Sequence, residues 1–280
     1  MKKIAAILLT FLIAFAFAAC AGTETPKTET PTAAVQTDET QTAETPTPDV
    51  QTDETPTPDV QTGETPTAEP ALSCLVYVSI VDQNGELVCP QKDITVRDLD
   101  ADGKLTIDEA FIAAHEAEYP NGKDGYASGE SQYGLSIYTL WGSDEGRSFS
   151  YYLNGKMAGG LTDEVVRGDF LDAYVFADTT AFSDTYCYFD MRTALVGKGD
   201  AFTLKLTKQA GFDENWAPVF DKADAGVQIV IDGKTTEFVT DENGAVTISI
   251  ADAGEHVVSA TSAALEGVNL VPPVCLVTVE

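Results

Sequence analysis

A stretch of about fifty residues that cannot fold alone sets the limits for this chain. Residues 21–72 are built almost wholly from Thr, Pro, Glu, Asp, Gln and Ala. Residues 50–59 (VQTDETPTPD) return almost at once as residues 60–67 (VQTGETPT), and a degenerate copy begins at Val35. Without large side chains to bury, nothing offsets the chain entropy lost on ordering. Proline favours extended polyproline II and the carboxylates repel one another, so residues 20–72 are expected to form a disordered stalk. At about 3.1 Å per residue such a stalk reaches ~150 Å at most, and its Thr-Pro density permits O-glycosylation. Everything that folds must come from residues 73–280, about 208 residues. That is room for two domains of ~100 residues each.

The chain opens with Lys2 and Lys3 and then an apolar run over residues 4–17. A charged start, an apolar segment and small residues form a secretion signal, expected here over residues 1–19. The run is short for a membrane span, which needs about 20 apolar residues. Phe17-Ala18-Ala19-Cys20 resembles a bacterial lipobox, with Phe17 departing from the usual aliphatic residue. The resemblance implies an acylated Cys20 that tethers the mature protein to the outer face of the cell membrane. An ordinary signal peptidase site is the alternative.

Charge narrows the partners. The chain has 45 acidic and 16 basic residues, of which 11 and 3 lie through residue 72, so the folded part keeps 34 acidic against 13 basic. Nucleic acid and anionic lipid both need a positive face, so neither is an expected partner. The membrane is met through the N-terminal lipid only.

The strongest motif is residues 98–109, DLDADGKLTIDE. Carboxylates stand at positions 1, 3 and 5, glycine at 6, threonine at 9 and glutamate at 12. This is the complete EF-hand calcium pattern. Calcium is a hard cation that takes six to eight oxygens. Asp98, Asp100 and Asp102 would each supply a carboxylate oxygen, Lys104 its backbone carbonyl, Thr106 a direct or water-mediated oxygen, and Glu109 a bidentate carboxylate. Thr106 to Glu109 is also a capping box that starts a helix. The two roles are compatible, because the last loop residues form the first turn of the exiting helix.

Around that loop, residues 75–81 and 93–96 read as strands, with an Asn84-Gly85 hairpin turn between them. A helix is expected over residues 107–119, with Ile107, Ala110, Phe111 and Ala114 on one face. Residues 149–153 followed by Asn154-Gly155 signal a second hairpin, and residues 165–168 and 170–176 complete a mixed sheet. One helix over such a sheet is an α+β, grasp-like arrangement. The helix after the loop, Leu140-Trp141-Gly142, residues 149–155 (FSYYLNG) and residues 165–169 (VVRGD) before an aromatic strand together resemble the transcobalamin C-terminal-like domain of bacterial surface lipoproteins. The resemblance covers residues 73–178. It implies this fold and says little about function; in transcobalamin the domain helps cover the corrinoid. The calcium loop also resembles half of a dockerin, but the second loop of a dockerin is missing.

Residues 182–280 read as short strands separated by turns, at 201–207, 227–231, 235–239, 245–250, 254–260 and 272–279, which is the pattern of an all-β sandwich. Residues 253–260 (AGEHVVSA) resemble bacterial Ig-like or prealbumin-like domains, whose usual role is presentation.

Four cysteines remain beyond Cys20. An exported protein can hold disulfides, and the favoured pairings are Cys74–Cys89 and Cys187–Cys275; buried thiols acting as small hydrophobes are the alternative. Of the two histidines, His115 is expected on the helix surface and His256 in a strand. No G-x-S-x-G occurs and no nucleophile stands at a motif spacing from either histidine. Trp141, Tyr151 and Tyr152 are candidate ligand-contacting aromatics. The expected function is therefore non-catalytic: adhesion, or binding of an extracellular small molecule, glycan or protein. Capture of a corrinoid-like cofactor, a purely structural spacer and, last, a hydrolase are the alternatives.

Overall fold

The computed structural model of the chain describes residues 72–144 and 146–280. The expected signal peptide, the expected lipidation site Cys20 and the expected stalk lie outside the described residues, apart from Leu72. Among the described residues no helix is long and apolar enough to cross a membrane.

The first half begins with a hairpin of β1 (Ser73–Val81) and β2 (Leu87–Arg97). Asp82 fixes the turn by accepting from the amides of Asn84 (2.9 Å) and Glu86 (3.0 Å). Along β1 the alternate residues Val76, Val78 and Ile80 are fully buried. The helix α1 (Ile107–Glu118) lays Ile107, Ala110, Phe111 and Ala114 against that core, the stripe expected of a 3.6-residue period. A separate two-stranded ribbon follows, β3 (Ala127–Ser131) with β4 (Gly134–Thr139). Next come β5 (Phe149–Leu153), β6 (Lys156–Met157) and β7 (Phe170–Val175). Asn154 and Gly155 turn β5 into β6 with left-handed φ of +52° and +76°. The main sheet has the order β2-β1-β7-β5-β6, with β7 parallel to β1 and the other pairings antiparallel. Residues 165–168 are not a strand. They form a loop whose Val165 amide bonds Leu105 O (2.8 Å) and whose Gly168 amide bonds Leu75 O (2.8 Å), steering the chain into β7.

The second half comprises β8 (Cys187–Phe189), β9 (Thr193–Val196), β10 (Ala201–Phe212), β11 (Pro218–Lys222), β12 (Gln228–Ile231), β13 (Lys234–Val239), β14 (Ala245–Ser249), β15 (Gly254–Thr261) and β16 (Cys275–Val279). The long β10 pairs with β11, β14 and β8 in one sheet. The other sheet has the order β13-β12-β15-β16-β9, with β9 parallel to β16. Leu204, Leu206, Val246 and Ile248 of the first sheet share one core with Ile229, Val258, Ala260 and Val277 of the second. This half is a β-sandwich.

A third apolar cluster joins the halves. It contains Val81, Tyr152 and Tyr174 from the first and Tyr186 and Val271 from the second. Tyr152 and Tyr186 stack with ring centroids 3.6 Å apart, and the Tyr152 hydroxyl donates to Gln209 Oε1 at 2.5 Å. Each half thus has its own core, and the described residues fall within one compact unit.

Candidate metal centre

The 98–109 loop runs from the end of β2 into α1, so a strand enters it and a helix leaves it. Its backbone is wrapped around its own carboxylates. Gly103 N donates to Asp98 Oδ2 (2.9 Å), Asp102 N to Asp100 Oδ1 (3.2 Å), and Lys104 N to Asp102 Oδ1 (2.8 Å). Gly103 sits at φ +85°, a left-handed conformation that suits glycine. These turns bring Asp98, Asp100 and Asp102 together, with one carboxylate oxygen of each within 4.8 Å of the others. Like charges that close repel by between about 1 and 3 kcal/mol per pair, depending on screening.

Asp98 Oδ1 is the informative atom. It is buried and has no hydrogen-bond partner. An unsatisfied buried acceptor costs about 1–3 kcal/mol, and more when charged. A divalent cation held by the three carboxylates would satisfy this oxygen and neutralise the repulsion, so the residues present fit a calcium ion.

Glu109, the twelfth loop residue, is not part of that carboxylate group. Glu109 is buried and commits both carboxylate oxygens to backbone amides. Oε1 accepts from Leu99 N (2.6 Å), and Oε2 accepts from Thr106 N (2.9 Å) and the Thr106 hydroxyl (3.0 Å). With Glu109 N donating to Thr106 Oγ1 (3.3 Å), this is the expected capping box. It adds a stitch to the loop at Leu99. The Lys104 ammonium reaches Glu164 (2.8 Å) on the neighbouring loop, in an exposed ion pair.

The candidate aromatics do not converge. Tyr151 and Tyr152 are adjacent on β5, so their side chains take opposite faces of the sheet. Tyr151 meets Phe111 edge-on at 6.0 Å in the first core, whereas Tyr152 lies in the cluster between the halves. Trp141 is half-buried in a tight turn with φ +50°, followed by Gly142 at +73°. A Cβ on Gly142 would lie 2.3 Å from the Tyr119 hydroxyl, so only glycine fits there. The turn lays the Trp141 ring against His115 (5.3 Å) and Tyr119 (5.2 Å).

His115 corrects an expectation: it is fully buried. Its Nδ1 is 2.7 Å from Phe111 O and its Nε2 accepts from Trp141 N at 3.0 Å. A neutral ring protonated on Nδ1 satisfies both contacts. Burial pushes its pKa down to about 4. The i, i+4 spacing from Phe111 puts His115 at the flank of the apolar stripe, and Trp141, distant in sequence, covers the ring.

The expected disulfides are also corrected. All four described cysteines are free and buried. Cys74 lies opposite Val96 while Cys89 lies opposite Ile80, so the two sit at different levels of one hairpin. Cys187 and Cys275 belong to different sheets, and the Cys187 thiol donates to Val271 O at 3.1 Å. Burial raises all four thiol pKa values, Cys89 and Cys275 to about 12.

No family model matches the chain, and no curated protein matches it. Among solved structures, the fibronectin(III)-like modules of Clostridium thermocellum CbhA align over 75% of this chain and 94% of that one, at 8% identity and a TM-score of 0.25. A score that low does not establish a shared fold.

Proposed function

We propose that the chain is a lipid-anchored, calcium-binding surface protein whose head works without catalysis, by adhesion or by binding an extracellular ligand. The N-terminal signal with its cysteine, and the Thr/Pro stalk, support export and display beyond the membrane. The observation that carries the calcium reading is the partnerless buried Oδ1 of Asp98 within the carboxylate triad. The ion would act as a staple between β2 and α1. Asp98, Asp100 and Asp102 would hold it, and Glu109 would fix the loop by its amide contacts. Lys104 and Thr106 would contribute at most through backbone or water, as the motif implies. The grasp-like and Ig-like assignments of the two halves belong to this reading. Packing of Trp141 on His115 and Tyr119 favours a scaffold role for that side of the first half, which is the second reading.

The test is calorimetric titration of the full chain with calcium, with magnesium as control, beside a thermal melt. Extracellular calcium modules work at roughly 10⁻⁴–10⁻³ M, and excess calcium should raise the melting temperature by a few degrees. Asp98→Asn and Asp100→Asn should abolish both signals. No heat and no thermal shift would sink the calcium reading.

A further inference from the structure

Where the two halves meet, a cleft of about 320 Å³ opens beside β6, the 177–184 loop and the far end of β10. Phe176, Phe182, Phe212, Met157 and Asp184 are among its lining residues, and no lysine, arginine or histidine is. Phe182 and Phe212 are about half exposed, at 51% and 48%. Phe182 packs edge-on with Phe176, at 80° and with centroids 5.6 Å apart. Beside Phe212, at 6.1 Å, is Trp216, which is 81% exposed.

These rings are not slack surface residues. Phe182 and Trp216 both hold left-handed backbone, φ +52° and +62°, which bulky side chains rarely adopt. Such outliers persist only where the surroundings enforce them, and they concentrate at ligand clamps. The surroundings here are explicit. Asp184 accepts from the amides of Ala177 (3.1 Å) and Asp178 (2.9 Å), and Asp178 accepts from those of Thr180 and Ala181 (3.0 Å each) and from the Ser183 hydroxyl (2.7 Å). Two carboxylates therefore brace the loop that displays Phe182. On the other hairpin Asp213 does the same for Trp216, accepting from the amides of Asn215 (2.8 Å) and Ala217 (2.9 Å).

We propose that this cleft binds a small organic cation with apolar substituents, of the quaternary or alkyl-ammonium type. Aromatic faces set at an angle attract such a cation through their quadrupoles. Asp184 supplies the opposite charge, and a chain with 45 acidic and 16 basic residues draws cations from a distance and repels anions. The volume is at the lower end of the ~300–1,000 Å³ usual for ligand sites, which suits a ligand of few atoms. The inference rests on the reading of the head as a non-catalytic binding module. It does not depend on calcium, since none of these residues belongs to the 98–109 loop.

The experiment is calorimetric titration of the full chain with choline chloride and with its neutral isostere 3,3-dimethylbutan-1-ol, at low and high salt, with calcium or with chelator. Choline is expected to bind about tenfold or more tightly than the isostere, and less tightly as salt rises. Phe182→Ala and Phe212→Ala, both at exposed positions, should each weaken choline by about tenfold, and Asp184→Asn should reduce the salt dependence. Equal affinity for choline and isostere, no choline binding at millimolar concentration, or binding unmoved by Phe212→Ala overturns the proposal. Choline binding that survives in chelator while calcium gives no heat would sink the calcium reading alone.

Discussion

Arg192 of the sandwich grips Asp172 of the mixed sheet across the junction of the halves, with guanidinium-to-carboxylate contacts of 2.5 and 3.3 Å. Both side chains are largely buried, at 12% and 13% exposure. The Tyr186 hydroxyl donates to the same carboxylate (2.6 Å), and Gln91 Nε2 donates to Arg192 O (2.9 Å). Arg192 also lies over the rings of Phe170 and Tyr188, at 5.8 and 5.6 Å.

Arg192→Met should therefore destabilise the protein by about 3–5 kcal/mol, because it leaves Asp172 buried and unpaired. The double variant Arg192→Met with Asp172→Leu should recover much of that loss, because an apolar pair can replace a buried ion pair. Urea denaturation of the two single variants and the double one checks this. Independent, additive effects would show that the pair does not join the halves energetically.

His115 makes stability depend on pH with a definite sign. Its pKa in the folded state is about 4, below the ordinary 6.5. As pH falls below 6.5 the unfolded chain takes up the proton first, so the contribution is whole above 6.5 and lost progressively towards 4. Its full size is roughly 3 kcal/mol. His115→Gln should flatten the unfolding free energy measured across pH 4–7.

His256 acts the other way. Its Nδ1 is 2.7 Å from Asp232 Oδ2 and its Nε2 is 2.9 Å from Asp252 O, so only the imidazolium donates to both. The hydrogen bond to Asp232 raises its pKa. Its contribution is present below 6.5 and lost as pH rises through the higher folded value. His256→Asn should selectively remove a fall in stability that sets in as pH rises above 6.5, read from the same denaturation series.

Cap and ion site in the 98–109 loop are separable. Thr106→Ala removes the acceptor for Glu109 N and should cost about 1 kcal/mol already in chelator. Asp100→Asn should leave stability in chelator unchanged or slightly higher, since it relieves repulsion in the triad, and should remove the calcium-dependent increment. Thermal melts with calcium and with chelator distinguish the two.

Buried thiols with raised pKa values are inert. Cys74, Cys89, Cys187 and Cys275 should resist alkylation in the folded protein and react on unfolding, and reductant should leave the melting temperature unchanged. Peptide mapping after alkylation checks each position. A Cys187–Cys275 crosslink would contradict the structure.

Local chemistry was readable without coordinates. The Asn84-Gly85 and Asn154-Gly155 turns, the start of α1 at its capping box and the spacing of Asp98, Asp100 and Asp102 follow from interactions within a few residues, which the order of side chains dictates. What depends on distant segments was hidden. Tyr151 and Tyr152 look like one motif, yet strand alternation sends them into different clusters. His115 flanks the apolar stripe of its helix, but the turn 26 residues on that covers its ring could not be read from that spacing. Cys74 and Cys89 look pairable until the hairpin register separates them. The clasp of Asp172 by Arg192 and the cleft of Phe176, Phe182 and Phe212 have no sequence signature, because their members are gathered by the packing of two sheets. Sequence determined where the chain turns, caps and gathers the three carboxylates of the 98–109 loop; tertiary structure decided which side chains meet, because contacts between distant segments are set by sheet register and burial.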